Sequence, residues 1–181
     1  RLARFFASLT AQERALLVVE PALRLGQEAH LVLHPRALAV AVLERAVGGH
    51  VPGVEMTGGS LGHGLGIAAG AAMGYRLDGH HSAIHVEISD GELQEGSIWE
   101  GASTAAAFGL DNLVCWIDCN GIQADGPIVV PIEPVAGRFA AFGWDTMEID
   151  GNDLEQLLAA FEWSRARAGK PKAVVLRTRP G

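Results

Sequence analysis

The chain has 181 residues, of which 49% are hydrophobic and 23 are glycine, and its formal net charge is −7. This length suits one domain with a substantial buried core. The acidic balance argues against nucleic acid or an anionic membrane as a partner. No apolar stretch approaches the ~20 residues that a membrane-spanning helix requires. The chain starts at Arg1 without an initiator methionine or a signal-peptide layout, so we expect a trimmed terminus.

The first quarter of the chain predicts helices. Residues 1–47 are expected to form a helical lead-in, with one helix over residues 9–25 and another over residues 36–47, after Pro35. Residues 48–181 are expected to form an α/β core within the same domain. The glycine-rich residues 48–53 cannot continue a helix and predict a loop.

A second glycine-rich segment, residues 57–64, precedes a predicted helix of small residues over residues 65–77. Its glycines would let the backbone approach a ligand closely. They would equally allow close packing between helices. The glycines alone do not decide between these two interpretations.

The centre of the chain predicts one β-α-β unit. Two short apolar runs, residues 83–88 and 113–117, are bounded by turn residues and are typical of buried strands. An alanine-rich helix pattern over residues 93–108 lies between them, with Glu92 and Glu95 near its start, where a helix N-terminus favours negative charge. Such strands are expected to be parallel, with a right-handed crossover.

The last third predicts a proline-rich loop, a strand over residues 143–150, a helix over residues 152–168 and a strand over residues 173–178. Asn152 or Asp153 is expected to cap the helix. Strands that alternate with helices indicate an α/β fold, with a mainly parallel sheet flanked by helices. The two cysteines, Cys115 and Cys119, lack a nearby Cys or His pair, which predicts unpaired thiols in a reducing cytoplasm.

Polar residues follow both central strands. Asp90 and Gly91 come after the first strand, and Asn120 comes after the second. Ligands of parallel α/β sheets bind beyond such strand ends, and a carboxylate with an amide oxygen suits Mg²⁺ bound to a diphosphate. Gly91 could aim its N–H at a phosphate. However, Asp-Gly and Asn-Gly are common turn pairs. On these residues alone, two turns of a structural β-α-β unit remain the favoured interpretation.

The surrounding residues resemble the thiamine-diphosphate motif of the transketolase family. That motif is normally Gly-Asp-Gly followed by Asn, and here Ser89-Asp90-Gly91 is followed by Asn120 at similar spacing. Further similar segments are residues 52–55, 59–64, 90–100, 110–114 and 120–126. The resemblance extends over residues 50–179 and implies the diphosphate-binding domain of the thiamine-diphosphate-binding fold.

The resemblance implies thiamine diphosphate and Mg²⁺ as cofactors, with Ca²⁺ or Mn²⁺ as substitutes. The metal ligands implied are Asp90, Asn120 and the main-chain carbonyl of Ile122. Gly91, through its N–H, and Glu92 are implied at the cofactor, as is Asn120. The segment implied against the aminopyrimidine is Gly59, Ser60 and Leu61.

The resemblance also implies three residues of the catalytic centre. Glu95 matches a glutamate at the subunit interface that contacts the catalytic glutamate of the other chain, and Glu100 supports that network. His50 matches a histidine of the substrate channel, although a plain loop histidine is an equal alternative.

The chain resembles the N-terminal subunit of a split transketolase. The resemblance then implies a separate chain that carries the pyrimidine-binding and C-terminal domains, in an α2β2 heterotetramer. The reaction implied is transfer of a two-carbon ketol unit from a ketose to an aldehyde. The alternatives are an acyloin or decarboxylating transferase on the same cofactor and a non-catalytic scaffold subunit.

The chain departs from the family pattern at several positions. Ser89 replaces the first glycine of the metal motif, and Gly58 stands where the family usually has threonine. A family segment that supplies an active-site histidine is missing upstream. His34 or Arg36 could serve as a substitute contact. These departures bear on substrate specificity more than on the cofactor.

Overall fold

The computed structural model describes residues 39–40, 56, 59–80, 82–123 and 126–179. The helices are α1 (Gly64–Leu77), α2 (Gly96–Ala107), α3 (Val135–Ala141) and α4 (Leu154–Ser164). The strands are β1 (Ala39–Val40), β2 (Ile84–Ser89), β3 (Leu113–Cys119), β4 (Ile122–Gln123), β5 (Gly126–Pro127), β6 (Asp145–Asp150) and β7 (Lys172–Arg177). A 3₁₀ helix, Gly91–Gln94, connects β2 to α2.

Five strands form a parallel sheet in the order β1-β2-β3-β7-β6, and β4 pairs with β5 in a separate antiparallel ladder. The predicted α/β class, with a parallel sheet flanked by helices, is confirmed. Ser89 at the end of β2 pairs in register with Asp118 near the end of β3. The residues that follow these two strands therefore meet at one edge of the sheet.

The larger core lies on one face of the sheet. Ile84, Val86 and Ile88 of β2 are completely buried there, as expected from the alternation of side chains along a strand. Helices α1 and α2 cover this face and approach each other through small residues. A Cβ on Gly101 of α2 would lie 3.3 Å from the backbone nitrogen of Gly66 in α1. This close packing brings the segment before α1 beside the start of α2.

Helix α4 covers part of the opposite face. Its Phe161 stacks on Trp116 and His85, with ring centroids 5.8 and 5.5 Å apart. Trp116 Nε1 donates a hydrogen bond of 3.1 Å to His85 Nδ1. Burial lowers the pKa of His85 to about 4. His85 is therefore neutral at neutral pH and packs as part of this aromatic layer.

The N-terminal helix prediction is wrong where the structure describes it. Ala39 and Val40, inside the helix predicted over residues 36–47, form β1 and pair in parallel with His85 and Val86. Strand pairing at the edge of a sheet outweighs a local helix preference, because propensity is weak beside tertiary hydrogen bonding and burial. The rest of the predicted lead-in lies outside the described residues.

Two further elements differ from the prediction. The central helix begins later than expected, because Glu95 has an extended backbone (φ −79°, ψ 129°) that separates the 3₁₀ helix from α2. The proline-rich stretch was expected to be only a loop, but it ends in α3, which starts directly after Pro134. Proline tolerates such a position because its fixed φ suits the start of a helix.

The cysteines and the lengths of the helices complete the description of the fold. Cys115 and Cys119 are both buried free thiols, as predicted. Within the described ranges, no helix has the length and apolar character that crossing a membrane requires.

Candidate cofactor and metal site

Asp90 directly follows β2 and caps the 3₁₀ helix. Its side chain is buried and accepts two backbone hydrogen bonds, from Gly91 N to Oδ1 at 2.8 Å and from Gly121 N to Oδ2 at 2.6 Å. Its own N–H donates to the carbonyl of Asp118 at 2.9 Å. The bond to Gly121 joins the turn after β2 to the turn after β3. The two strand ends are therefore in direct contact, as the β-α-β prediction requires.

Asn120 and Ile122 lie in the turn after β3. Asn120 Nδ2 donates to Asp118 Oδ2 at 3.0 Å, and Asn120 Oδ1 accepts from Ile122 N at 2.8 Å. Gly121 between them has a φ of +78°, a left-handed conformation that glycine adopts without strain. The turn can therefore reverse tightly while Gly121 N–H reaches Asp90.

Two carboxyl groups lie close together at this edge. Burial raises the pKa of Asp90; two backbone N–H groups oppose the rise, and the nearby Asp118 adds to it. Burial also raises the pKa of Asp118, opposed by hydrogen bonds from Thr178 and Asn120. The ionised carboxylates have lost hydration and repel each other. A bound cation would relieve both effects, so the electrostatics favour a metal ion here.

Glu92 lies completely buried on the same 3₁₀ helix as Asp90. Its Oε1 accepts a hydrogen bond of 2.8 Å from Gly62 N, and its N–H donates to Ser89 Oγ at 3.3 Å. Its second oxygen, Oε2, has no hydrogen-bond partner among the described residues. Burial raises the pKa of Glu92, and the bond from Gly62 opposes the rise. Through its hydrogen bond with Gly62, the carboxyl of Glu92 contacts the glycine-rich segment before α1.

That segment forms an exposed turn at residues 59–61, with Leu61 43% exposed. Gly62, which follows it, has a φ of +82°. A Cβ on Gly62 would lie 2.2 Å from Ser97 Oγ and 2.7 Å from Glu95 Cβ. The turn is pressed against the start of α2, and only glycine fits at position 62, directly after it. The structure thus brings the predicted aminopyrimidine segment, residues 59–61, beside the 3₁₀ helix that Asp90 caps.

Two of the three residues predicted for the catalytic centre are described by the structure, and both belong to the region of α2. Glu95 is exposed at the N-cap of α2, next to Gly62. Glu100 is also exposed and lies further along α2. His50 lies outside the described residues, as do His34 and Arg36.

The oxygen-bearing groups predicted as metal ligands are of the chemical kind that could hold a magnesium diphosphate. No group of three or more His, Cys, Asp or Glu side chains in the described part of the chain could hold a metal ion. The set here differs, because it combines the Asp90 carboxylate with the Asn120 amide and the Ile122 carbonyl. Mg²⁺ suits such a set, since it commonly takes few protein ligands and fills its octahedron with phosphate oxygens and water.

A comparison with protein-family models identifies this arrangement. The model described as the thiamine diphosphate binding domain of transketolase matches residues 43–181, which include both strand ends and the glycine-rich segment. The chain belongs to the transketolase family. The α/β fold with a parallel sheet is thus that of a known thiamine-diphosphate-binding domain.

Curated transketolase-family proteins match most of this chain. A transketolase family protein of Sinorhizobium fredii is 46% identical over 133 residues, which cover 72% of this chain and 48% of the relative. The 6-deoxy-6-sulfo-D-fructose transketolase subunit of a Clostridium species is 38% identical over 131 residues, covering 71% and 48%. An apulose-4-phosphate transketolase subunit of Phocaeicola vulgatus is 38% identical over 133 residues, covering 72% and 47%. The chain spans about half the length of the curated relatives it matches.

Solved transketolase structures have the same fold. The transketolase of Leishmania mexicana superposes with a TM-score of 0.61 at 30% sequence identity, over 71% of this chain and 21% of that one. A Pichia stipitis transketolase variant gives 0.60 at 34% identity, over 70% and 21%. These transketolases thus share the fold over about seven tenths of this chain.

Two residues of this transketolase-family site were not predicted. Asp118 accepts hydrogen bonds from the side chains of Asn120 and Thr178 and so holds the turn after β3. A signal for Asp118 was present, because it is a second carboxylate at a strand end. Ser97 lies against Gly62. Nothing in the local pattern marks Ser97, because its neighbour comes from a distant part of the chain.

Proposed function

We propose that this chain is the diphosphate-binding part of a transketolase that depends on thiamine diphosphate and Mg²⁺. The enzyme transfers a two-carbon ketol unit from a ketose donor to an aldehyde acceptor. The observation that carries the proposal is the buried Asp90 carboxyl, which the Gly121 N–H ties to the neighbouring strand end in a chain of the transketolase family. The buried Asp118 beside it adds to the preference for a cation.

The metal ligands in this proposal are Asp90, Asn120 and the carbonyl of Ile122. Mg²⁺ binds them together with the diphosphate, and Ca²⁺ or Mn²⁺ can replace it. The N–H of Gly91, which now bonds to Asp90 Oδ1, donates to a phosphate oxygen instead. Bound thiamine diphosphate supplies the electron sink for cleavage of a carbon–carbon bond.

The pyrimidine end of the cofactor lies against residues 59–61 in this proposal. Their exposed turn beside α2 supports this placement. Glu95, exposed at the start of α2, meets the catalytic glutamate of a second chain, and Glu100 on the same helix supports that contact. His50 contacts the substrate.

We further propose a cytoplasmic α2β2 assembly. The present chain would form a single diphosphate-binding domain over residues 1–181, and a partner chain would carry the pyrimidine-binding and C-terminal domains. Two relatives named as transketolase subunits support a split enzyme. The two buried free thiols fit a reducing compartment.

The substrates of this chain are proposed only as a class. The two related subunits are named for different sugars, 6-deoxy-6-sulfo-D-fructose and apulose 4-phosphate. A screen of ketose donors and aldehyde acceptors, with the full-length protein and its partner chain, identifies the pair that turns over.

Calorimetry tests the metal site. We expect thiamine diphosphate with Mg²⁺ to bind the full-length protein in complex with its partner, and Asp90→Ala to weaken binding at least about a hundredfold, since a charged metal ligand is lost. The fold should persist, because Asp90 contacts turns rather than the main core. Asp145→Ala is the matched control, since its carboxylate lies at the opposite end of the sheet, paired with Lys170. Equal binding by the Asp90 and Asp145 variants would contradict the site.

A further inference from the structure

Glu92 is held firmly beside the two turns that carry the proposed metal ligands, the turn after β2 with Asp90 and the turn after β3 with Asn120 and Ile122. It lies on the 3₁₀ helix that Asp90 caps, and the side chain of Asp90 ties that helix to Gly121. The N–H of Glu92 donates to Ser89 Oγ at the end of β2. The backbone at Glu92 is thereby fixed relative to the carboxyl ends of β2 and β3.

The side chain of Glu92 connects this turn to a distant segment. Its Oε1 accepts the hydrogen bond from Gly62 N, 30 positions earlier in the sequence, at 2.8 Å. Gly62 is buried, so its N–H requires an acceptor within the protein. The neighbouring Glu95 and Ser97 leave no space for the turn to move toward α2. The carboxyl of Glu92 thus defines where residues 59–61 lie.

This carboxyl is a costly way to pack a core position. Glu92 is 0% exposed, and its Oε2 has no hydrogen-bond partner among the described residues. A buried polar atom without a partner is unfavourable, and an apolar side chain of similar volume often stabilises such a site. Packing alone therefore does not explain a glutamate here. Its contact with Gly62 does.

We infer that Glu92 is a positioning residue that fixes the aminopyrimidine turn, residues 59–61, at a set distance from the metal and diphosphate turn. This inference rests on the proposed function. The family resemblance implies Glu92 at the cofactor. In this inference it acts there through Gly62 rather than by touching the cofactor, because its side chain is completely buried and bonded to Gly62. It therefore contributes to binding of the whole cofactor, whereas a ligand that occupies only the diphosphate end does not need it.

Two variants and two probes test this role in the full-length protein with its partner chain. Glu92→Met removes the acceptor at similar volume, and Glu92→Gln keeps an oxygen that can accept from Gly62. Loss of one buried hydrogen bond predicts that Glu92→Met binds thiamine diphosphate with Mg²⁺ about tenfold more weakly or worse. Binding of inorganic pyrophosphate with Mg²⁺ should change by less than about twofold, because a ligand that occupies only the diphosphate end does not depend on this hydrogen bond. Glu92→Gln should restore thiamine diphosphate binding.

Amide hydrogen exchange at Gly62 gives a readout that is independent of the cofactor. We expect protection in the wild type and in Glu92→Gln, and loss of protection in Glu92→Met. Equal losses for both probes, unchanged thiamine diphosphate binding in Glu92→Met, or an unprotected Gly62 in Glu92→Gln would each overturn the inference. If Glu92→Met fails to fold, protection of Gly62 in Glu92→Gln decides whether an acceptor at position 92 holds the Gly62 N–H. A wild-type protein that binds neither probe would overturn the proposed function, while exchange at Gly62 still reports on the contact itself.

Discussion

Gly62 is the residue at which the glycine-rich turn meets α2, and its substitution should disturb both. We expect Gly62→Ala to lower the free energy of unfolding by roughly 2 kcal/mol or more, because its φ of +82° strains a side chain and the new Cβ would overlap Ser97 Oγ. Gly70→Ala is the control, since a Cβ there, within α1, meets nothing within 4 Å. That variant should be neutral or gain up to about 1 kcal/mol from helix propensity. Urea unfolding measures both, and equal losses would contradict the assignment.

Some features of individual site residues could be predicted from the sequence, and others could not. Ligand approach and helix packing were the alternatives for residues 57–64, and within that segment the structure places Gly62 in close contact with the start of α2. The position of Asp90 and Asn120 at adjacent strand ends could be predicted, because strand ends follow from the apolar pattern. The contact of Glu92 could not, because its partner Gly62 is distant in the sequence and local patterns describe only neighbours. Glu92 was therefore expected at the cofactor and near a helix start, but not in contact with Gly62.

Helix α3 was not predicted from the sequence, yet it contributes a large side chain to the core. Its Phe139 is completely buried and contacts the rings of Trp99 and Trp144, with centroids 5.4 and 5.3 Å apart. We expect Phe139→Ala to cost about 3–5 kcal/mol of unfolding free energy, because it leaves a large cavity between α3 and α2. Urea or thermal unfolding measures this loss.

Phe142, which follows α3, provides the matched control for that element. It is 38% exposed and stacks on Trp99 from the outside. Phe142→Ala should cost no more than about 1.5 kcal/mol, since it removes mainly one aromatic contact. Similar losses for the two variants would show that α3 is not anchored through Phe139.

The elements that could be predicted share a physical cause. Helix α1 and strands β2, β3, β6 and β7 are apolar segments with clear boundaries, and the structure places each within a few residues of its predicted range. Helix α3 was missed because its seven residues are too few for a periodic pattern and follow three prolines. Strand β1 was missed because only pairing with β2 makes Ala39 and Val40 extended. The sheet order, with β7 between β3 and β6, depends on long-range packing and leaves no local signal.

At the scale of the whole molecule, the two faces of the sheet differ in their titratable groups as well as in packing. The face covered by α4 carries two titratable groups of β2. Burial raises the pKa of Glu87 to about 8, with Asp118 adding to the rise, and lowers that of His85 to about 4. The folded protein therefore favours the neutral form of both side chains. Their effects on stability have opposite signs as the pH changes.

The sign of each effect follows from proton linkage. Between pH 4.5 and 8 the folded state keeps a proton on Glu87 that the unfolded state has lost, so stability falls as the pH rises. His85 opposes this from pH 4 to 6.5, because there only the unfolded state binds its proton. Above pH 6.5 the loss of stability that Glu87 causes as the pH rises is no longer offset by His85.

Glu87→Gln should therefore flatten the pH dependence of stability between pH 6.5 and 8. The wild type should lose up to about 2 kcal/mol more than the variant over this range, since each unit of pH across a shifted group changes the unfolding free energy by about 1.4 kcal/mol. Urea unfolding at pH 6.5 and 8 measures the difference, and buried groups that both proteins share cancel in it. Glu162→Gln, an exposed change on α4, should keep the wild-type slope. Parallel slopes for the wild type and Glu87→Gln would show that Glu87 is ionised in the folded protein.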